Sequence, residues 1–168
     1  MKHIYICGPV SGRIPKEAAD HFAAAEYRIF NTALENNQQI CISNPTRFCS
    51  PDFEWHKAMR LCVGEMSKCV GIALLQGWQH SRGAMLELKL AQDLHIPVVY
   101  IEPPLDYLGL SELFAVVPET LRYYNARLTQ FHNEGVEESL AENRATAELA
   151  NRYLDPYGFE YIEISREE

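Results

Sequence analysis

The chain has 168 residues and a formal net charge of −8, with 23% charged and 47% hydrophobic residues. That is enough for one domain with a sizeable core plus an added subdomain, and no apolar run is long enough to span a bilayer. The acid excess argues against a general nucleic-acid-binding face, which needs a basic patch, but still allows a small anionic ligand held by local positive groups.

Five cysteines (Cys7, Cys41, Cys49, Cys62, Cys69) are odd in number, scattered, and form no C-x-x-C pair. They suggest neither a zinc site nor a disulfide framework, and fit small buried residues in a reducing cytosol. The opening Met1-Lys2-His3-Ile4-Tyr5-Ile6 runs straight into a strand without a signal-peptide pattern, so a cytoplasmic location is expected. The six histidines are dispersed, with no H-x-x-x-H or H-E-x-x-H, and no metal is implied. The absence of a G-x-S-x-G elbow counts against a serine hydrolase.

Taken in order, residues 3–7 are β-branched and aromatic and predict a first strand, which ends at Gly8-Pro9-Val10-Ser11-Gly12-Arg13. Pro15 suits a first helical turn, and residues 16–34 carry the stripe Phe22, Ile29, Phe30, Ala33. Ile40-Cys41-Ile42 is a second strand closed by Asn44-Pro45, and residues 46–53 read as a loop. Trp55, Met59, Cys62, Val63 and Met66 recur at helical spacing and predict a second helix. Val70-Gly71-Ile72-Ala73-Leu74-Leu75 is a buried strand, residues 82–94 are a third helix stopped by Pro97, and residues 97–101 are a fourth strand. This alternation predicts a doubly wound parallel α/β sheet of the Rossmann or flavodoxin type over residues 1–102. A helical C-terminal extension follows over residues 103–168, packed on that domain or on a partner subunit. Within it, residues 118–132 and 136–154 read as helices and 159–164 as a short strand or tail. The second of these helices has a thin stripe (Leu140, Ala147, Ala150, Leu154) that suits a surface or a subunit contact better than a core.

The chemistry concentrates around Gln76-Gly77-Trp78-Gln79-His80-Ser81-Arg82-Gly83-Ala84-Met85-Leu86-Glu87, where a strand, a polar loop and a helix N-terminus face one crevice. Glu87 falls mid-stripe among Ala84, Leu88, Leu90, Ala91 and Leu94, where a carboxylate is costly unless paired, hydrogen-bonded or protonated. It is either an ion-pair partner of a buried arginine, an interface residue, or a reactive acid. Gly83, one turn earlier on the same face, favours the last by leaving room for a ligand. The Gly8–Arg13 loop can cradle a phosphate with its backbone N–H groups, Ser11 and Arg13, or be an ordinary turn with a surface arginine. Ser81 is a favoured N-cap, which does not prevent it from touching an anion. Trp78 can stack on a base or simply pack. Tyr5, mid-strand, needs a partner for its hydroxyl if buried, and Glu87 is a candidate.

The segments from Ile4 to Arg13 and from Gly77 to Glu87 together resemble the nucleoside 2-deoxyribosyltransferase superfamily. Within it, the likeness is to a branch of small, often phage-encoded proteins with a G-W-x-x-S-x-G-A-x-x-E signature, neighbouring the deoxynucleoside 5′-monophosphate N-glycosidases. The likeness spans residues 3–101. It implies that Glu87 attacks the anomeric carbon of a sugar and that Tyr5 orients it. It also implies that Gly8, Ser11, Gly12, Arg13 and Ser81 hold a 5′-phosphate, with no cofactor. One departure is that Leu61 and Cys69 stand where such proteins usually carry aspartates. General-acid help, worth on the order of 10²–10⁴-fold, would then come from elsewhere, with Asp52, Glu54 and Glu65 as candidates.

The expected activity is therefore cleavage or transfer of the N-glycosidic bond of a (deoxy)nucleoside or its 5′-monophosphate. Trp78 and Gly83 join the substrate-binding set. The alternatives are a non-catalytic module that binds or sequesters nucleotides and, ranked lower, an NAD-type glycohydrolase, since the loop suits one phosphate better than two. The expected partners are a small nucleoside or nucleotide and further copies of the chain in a dimer or larger homo-oligomer. Neither a nucleic-acid polymer nor a membrane is expected.

Overall fold

The computed structural model describes residues 1–101 and 118–154. Strand β1 (Lys2–Cys7) leads into helix α1 (Pro15–Glu35), β2 (Ile40–Ser43) and a short helix α2 (Pro45–Phe48). Helix α3 (Trp55–Ser67), β3 (Gly71–Leu74), α4 (Arg82–Asp93) and β4 (Val98–Tyr100) follow, and then α5 (Glu119–Asn133) and α6 (Glu138–Leu154). The four strands form one all-parallel sheet in the order β2-β1-β3-β4. The chain is thus an α/β protein with a doubly wound sheet and C-terminal helices. Among the described residues no helix is long and apolar enough to cross a membrane.

Alternation along β1 sorts the two faces of the sheet, because successive side chains point to opposite sides. Ile4 and Ile6 pack with Phe22, Ala25, Ile29 and Ala33 of α1, while Tyr5 and Cys7 join the core under α3 and α4. Both faces are covered, so β1 is apolar at every position from Ile4 to Cys7. This register aims the Tyr5 hydroxyl at α4. The buried stripe of α1 differs from the expected one: Phe30 is 49% exposed, and Ala18 and Ala25 are buried alongside Phe22, Ile29 and Ala33. Phe30 lies one 100° step round from Ile29, and with Tyr27 and Leu34 it forms an exposed apolar line at i, i+3 and i+7. Residues 46–53 are not wholly loop. Asn44 caps α2 by accepting from the Thr46 N–H at 3.0 Å.

The last helix is a core element, contrary to the expectation of a surface position. Its buried residues are Ala141, Ala145, Leu149, Ala150 and Asn151, whereas Leu140 and Ala147 are half-buried. The side chain of Leu154 and the strand or tail expected at residues 159–164 lie outside the described residues. Small side chains let α6 press closely on α3 at Gly64. A Cβ on Gly64 would sit 2.7 Å from Thr146 Cγ2 and 3.0 Å from its carbonyl oxygen. Alongside, buried Arg60 of α3 donates from Nη1 to Asn151 Oδ1 at 2.9 Å. Gly64→Ala is expected to destabilise by about 1–2 kcal/mol, because overpacking outweighs the gain in helix propensity. The urea midpoint reads this, and Thr146→Ser in the same chain should restore part of it by removing the clashing methyl.

Candidate functional site

Glu87 lies on the face of α4 that covers β1 and is 4% exposed. Tyr5 donates its hydroxyl to Glu87 Oε1 at 2.7 Å. Among the described residues no lysine, arginine or histidine forms an ion pair with Glu87, and the buried arginine of the fold, Arg60, is engaged with Asn151. Burial pushes the Glu87 carboxyl up to about 6, opposed by donation from the Cys7 thiol, the Tyr5 hydroxyl and the Cys62 thiol. The Cys7 thiol also lies 3.7 Å from the Ala84 carbonyl oxygen, so it is shared between two acceptors. Burial and the neighbouring acids hold Tyr5 well above the ordinary phenol range, which keeps it a donor. The result is a carboxylate whose neighbours are neutral X–H groups.

Beside Glu87 opens a cavity of about 70 Å³, several times the roughly 10–15 Å³ that one water needs on the same measure. Gly8 and Ser11 from the first loop, Ser81 and Gly83 from the start of α4, and Glu87 itself line it. Ser81 is at once the N-cap, accepting from the Ala84 N–H at 3.3 Å, and a wall residue. A side chain on Gly83 would enter the cavity beside Met59 Sδ (3.2 Å) and Trp55 Nε1 (3.9 Å). Gly8 is constrained from behind, since its Cβ would meet Leu75 Cβ at 2.8 Å. The lack of a side chain there lets the loop pass close to Leu75, just after β3.

Other expected residues are placed elsewhere. Arg13 leans over Gly77, whose φ of 84° favours glycine, and lines a separate surface groove with His21, Gln79 and His80. Gly12 turns the loop with a φ of 82° and has open space around it. Trp78 opens a 3₁₀ turn (Trp78–His80) and tilts against Tyr100 with ring centroids 6.4 Å apart, bordering another groove. None of the candidate general acids lines the cavity. Asp52 and Glu54 are exposed, and Glu65 pairs with Lys68 at 2.7 Å. At the two positions of departure, Leu61 is half-buried and the buried Cys69 thiol lies 3.3 Å from the Glu65 carbonyl oxygen.

The opposite wall is made by Trp55, Met59 and Cys62 of α3, which the sequence pattern marks only as a helix, together with Cys49 after α2. Trp55 is the first residue of α3 and is half-buried, with the Arg82 guanidinium 3.9 Å from its ring centre. An aromatic at the open end of a helix, beside a loop, was the available signal. Among the described residues no group of three or more His, Cys, Asp or Glu side chains is placed to hold a metal ion.

No curated protein and no solved structure matches the chain. Residues 2–100, from β1 through β4 and including every wall of the cavity, match the model of the family described as Domain of unknown function (DUF4406). With more than half its length matched, the chain belongs to that family.

Proposed function

We propose that the protein cleaves or transfers the N-glycosidic bond of a (deoxy)nucleoside or (deoxy)nucleoside 5′-monophosphate, with Glu87 as the nucleophile. The observation that carries this reading is a buried carboxylate with no cationic partner among the described residues, held by the Tyr5 hydroxyl and bordering a cavity. The resemblance of the two motifs to nucleoside 2-deoxyribosyltransferases supports it further. In the first step a Glu87 oxygen bonds to C1′ as the C1′–N bond breaks. The bonding pair leaves with the base, which takes a proton from water. In the second, water or another base attacks C1′ and releases the carboxylate, as in retaining glycosidases. Tyr5 occupies Oε1 and fixes the rotamer that presents the carboxylate. The 5′-phosphate would lie against Ser11, Ser81 and the N-terminus of α4. We assign base stacking to Trp55 rather than Trp78, because Trp55 borders the same cavity as Glu87.

Incubation with a panel of nucleosides and their 5′-monophosphates, followed by chromatography, should reveal free base. Tyr5→Phe should lower the rate by about tenfold or more, since it removes a buried charge-assisted hydrogen bond worth roughly 1.5–3 kcal/mol. It should also move the acid limb of the pH–rate profile upward, because Glu87 loses a donor that favours its charged form.

A second reading is a module that binds nucleotide without turnover. It is favoured by one feature: among the described residues Glu87 is the single carboxylate lining the cavity, so no second acid faces the leaving base. A thermal shift corresponding to about 2.7 kcal/mol at 100 times Kd, with no free base formed, would select this reading. Self-association is part of the proposal. The exposed line of Tyr27, Phe30 and Leu34 on α1 supports it, and light scattering giving a monomer at micromolar concentration would count against it.

A further inference from the structure

The five cysteines are all free thiols, and two of them meet at the cavity wall. Cys49 Sγ and Cys62 Sγ are 3.7 Å apart, in van der Waals contact. Cys49 caps the end of α2 in an extended conformation at the head of the segment leading to α3, whereas Cys62 sits in the middle of α3. Closing the pair to the ~2.05 Å of a disulfide shortens the separation of the sulfurs by under about 2 Å. We propose that Cys49 and Cys62 form a peroxide-reactive dithiol that closes reversibly into a disulfide at the wall of the Glu87 cavity.

The two sulfurs have different roles. The contact with Cys62 holds Cys49 below the ordinary thiol range, while that same contact and burial push Cys62 well above it. Cys49 is half-buried and borders the cavity, so a small oxidant can reach it. The Cys49 thiolate attacks hydrogen peroxide, forming an S–O bond as the O–O bond breaks. The displaced hydroxide leaves as water after taking a proton. Cys62 then attacks the sulfenic sulfur, the S–S bond forms, and the S–OH oxygen departs with the Cys62 proton as a second water. Of the three remaining thiols, half-buried Cys41 lies on β2 and away from the cavity wall. Cys69 is buried and pushed up to about 12, and buried Cys7 is engaged between the Ala84 carbonyl and Glu87. Closure takes the Cys62 S–H donor away from Glu87 and ties the wall opposite it. Oxidation should therefore lower base release, a consequence that rests on the N-glycosidic reading, whereas bridge formation does not.

The test is to treat the full chain with a modest excess of hydrogen peroxide, block free thiols with N-ethylmaleimide in denaturant, and map the peptides. Titratable thiols should fall from five to three, with a mass loss of about 2 Da in a peptide pair joining Cys49 to Cys62 that dithiothreitol reverses. Cys49→Ser should hold all four of its thiols under the same treatment. Five thiols remaining, a bridge between any other pair, or a sulfinic acid on Cys49 without a bridge would overturn the proposal. Base release by reduced and oxidised protein forms a separate arm. A reduced protein without glycosidase activity would undo the proposed function and leave the thiol count to decide the dithiol.

Discussion

Glu87→Gln is expected to lower base release by on the order of 10⁴-fold or more while leaving the protein folded, because an amide of the same shape cannot form the glycosyl ester. The Tyr5 hydroxyl can still donate to the amide oxygen, so the 2.7 Å contact has a neutral counterpart. In the proposed reaction Glu87 must be ionised to attack, and burial has pushed its carboxyl up to about 6. The rate should therefore rise with pH along an acid limb near that value. The same group makes an opposite contribution to stability. Its folded pKa lies above the ordinary 4.5, so the native state holds the proton more tightly than the unfolded chain. Stability from this source is fully present below about pH 4.5 and is lost as pH rises through about 6. A shift of this size corresponds to about 2 kcal/mol. The Gln variant lacks the titration, so its stability relative to wild type should increase by about 2 kcal/mol between roughly pH 4 and pH 7 in urea melts. Parallel pH profiles for the two proteins would mean that Glu87 is not a desolvated, unpaired acid.

Trp55→Ala is expected to raise KM for nucleotides by roughly 10–100-fold with a smaller effect on kcat, since a stacked base is worth about 1–3 kcal/mol. Arg82 covers one face of the indole at 3.9 Å and stiffens it, so the ring borders the cavity as a preformed wall. Trp78→Ala serves as the contrast. Its ring leans on Tyr100 beside a different groove, and its loss should move KM by less than about threefold. Steady-state kinetics on the two variants separates the assignments. A large effect at Trp78 with none at Trp55 would reverse them.

Local sequence signals explain why so much of the site was readable in advance. A carboxylate in an apolar stripe, a glycine one turn before it, and a strand tyrosine in need of a partner all lie within residues 5–87, close to their own elements. The parallel sheet follows from the alternation of short apolar runs with helical periods, and the structure has the same strands within a residue or two. The packing of the C-terminal helices on the sheet domain was the part that could not be read. The face of α3 that carries Arg60 and Gly64 looks polar and unremarkable until α6 covers it some 80 residues later. The alanines of α6 make a weak hydrophobic stripe because small residues suit close helix contact rather than large apolar area. Trp55 marks only a helix in the sequence, because periodicity reports which side of a helix is apolar, not whether its end borders an empty space. Arg13 and Trp78 were grouped with Glu87 by proximity in the motifs, yet their loops carry them to separate grooves.

The central claim is that a Glu87 oxygen bonds to a sugar carbon, and a trapped intermediate tests it most directly. Turnover quenched in acid, with a nucleoside whose 2′-fluorine slows breakdown of the glycosyl ester, should yield protein heavier by one sugar, with the added mass on the peptide carrying Glu87. Unmodified protein while base is still being released, or an adduct that forms equally on Glu87→Ala, would contradict it.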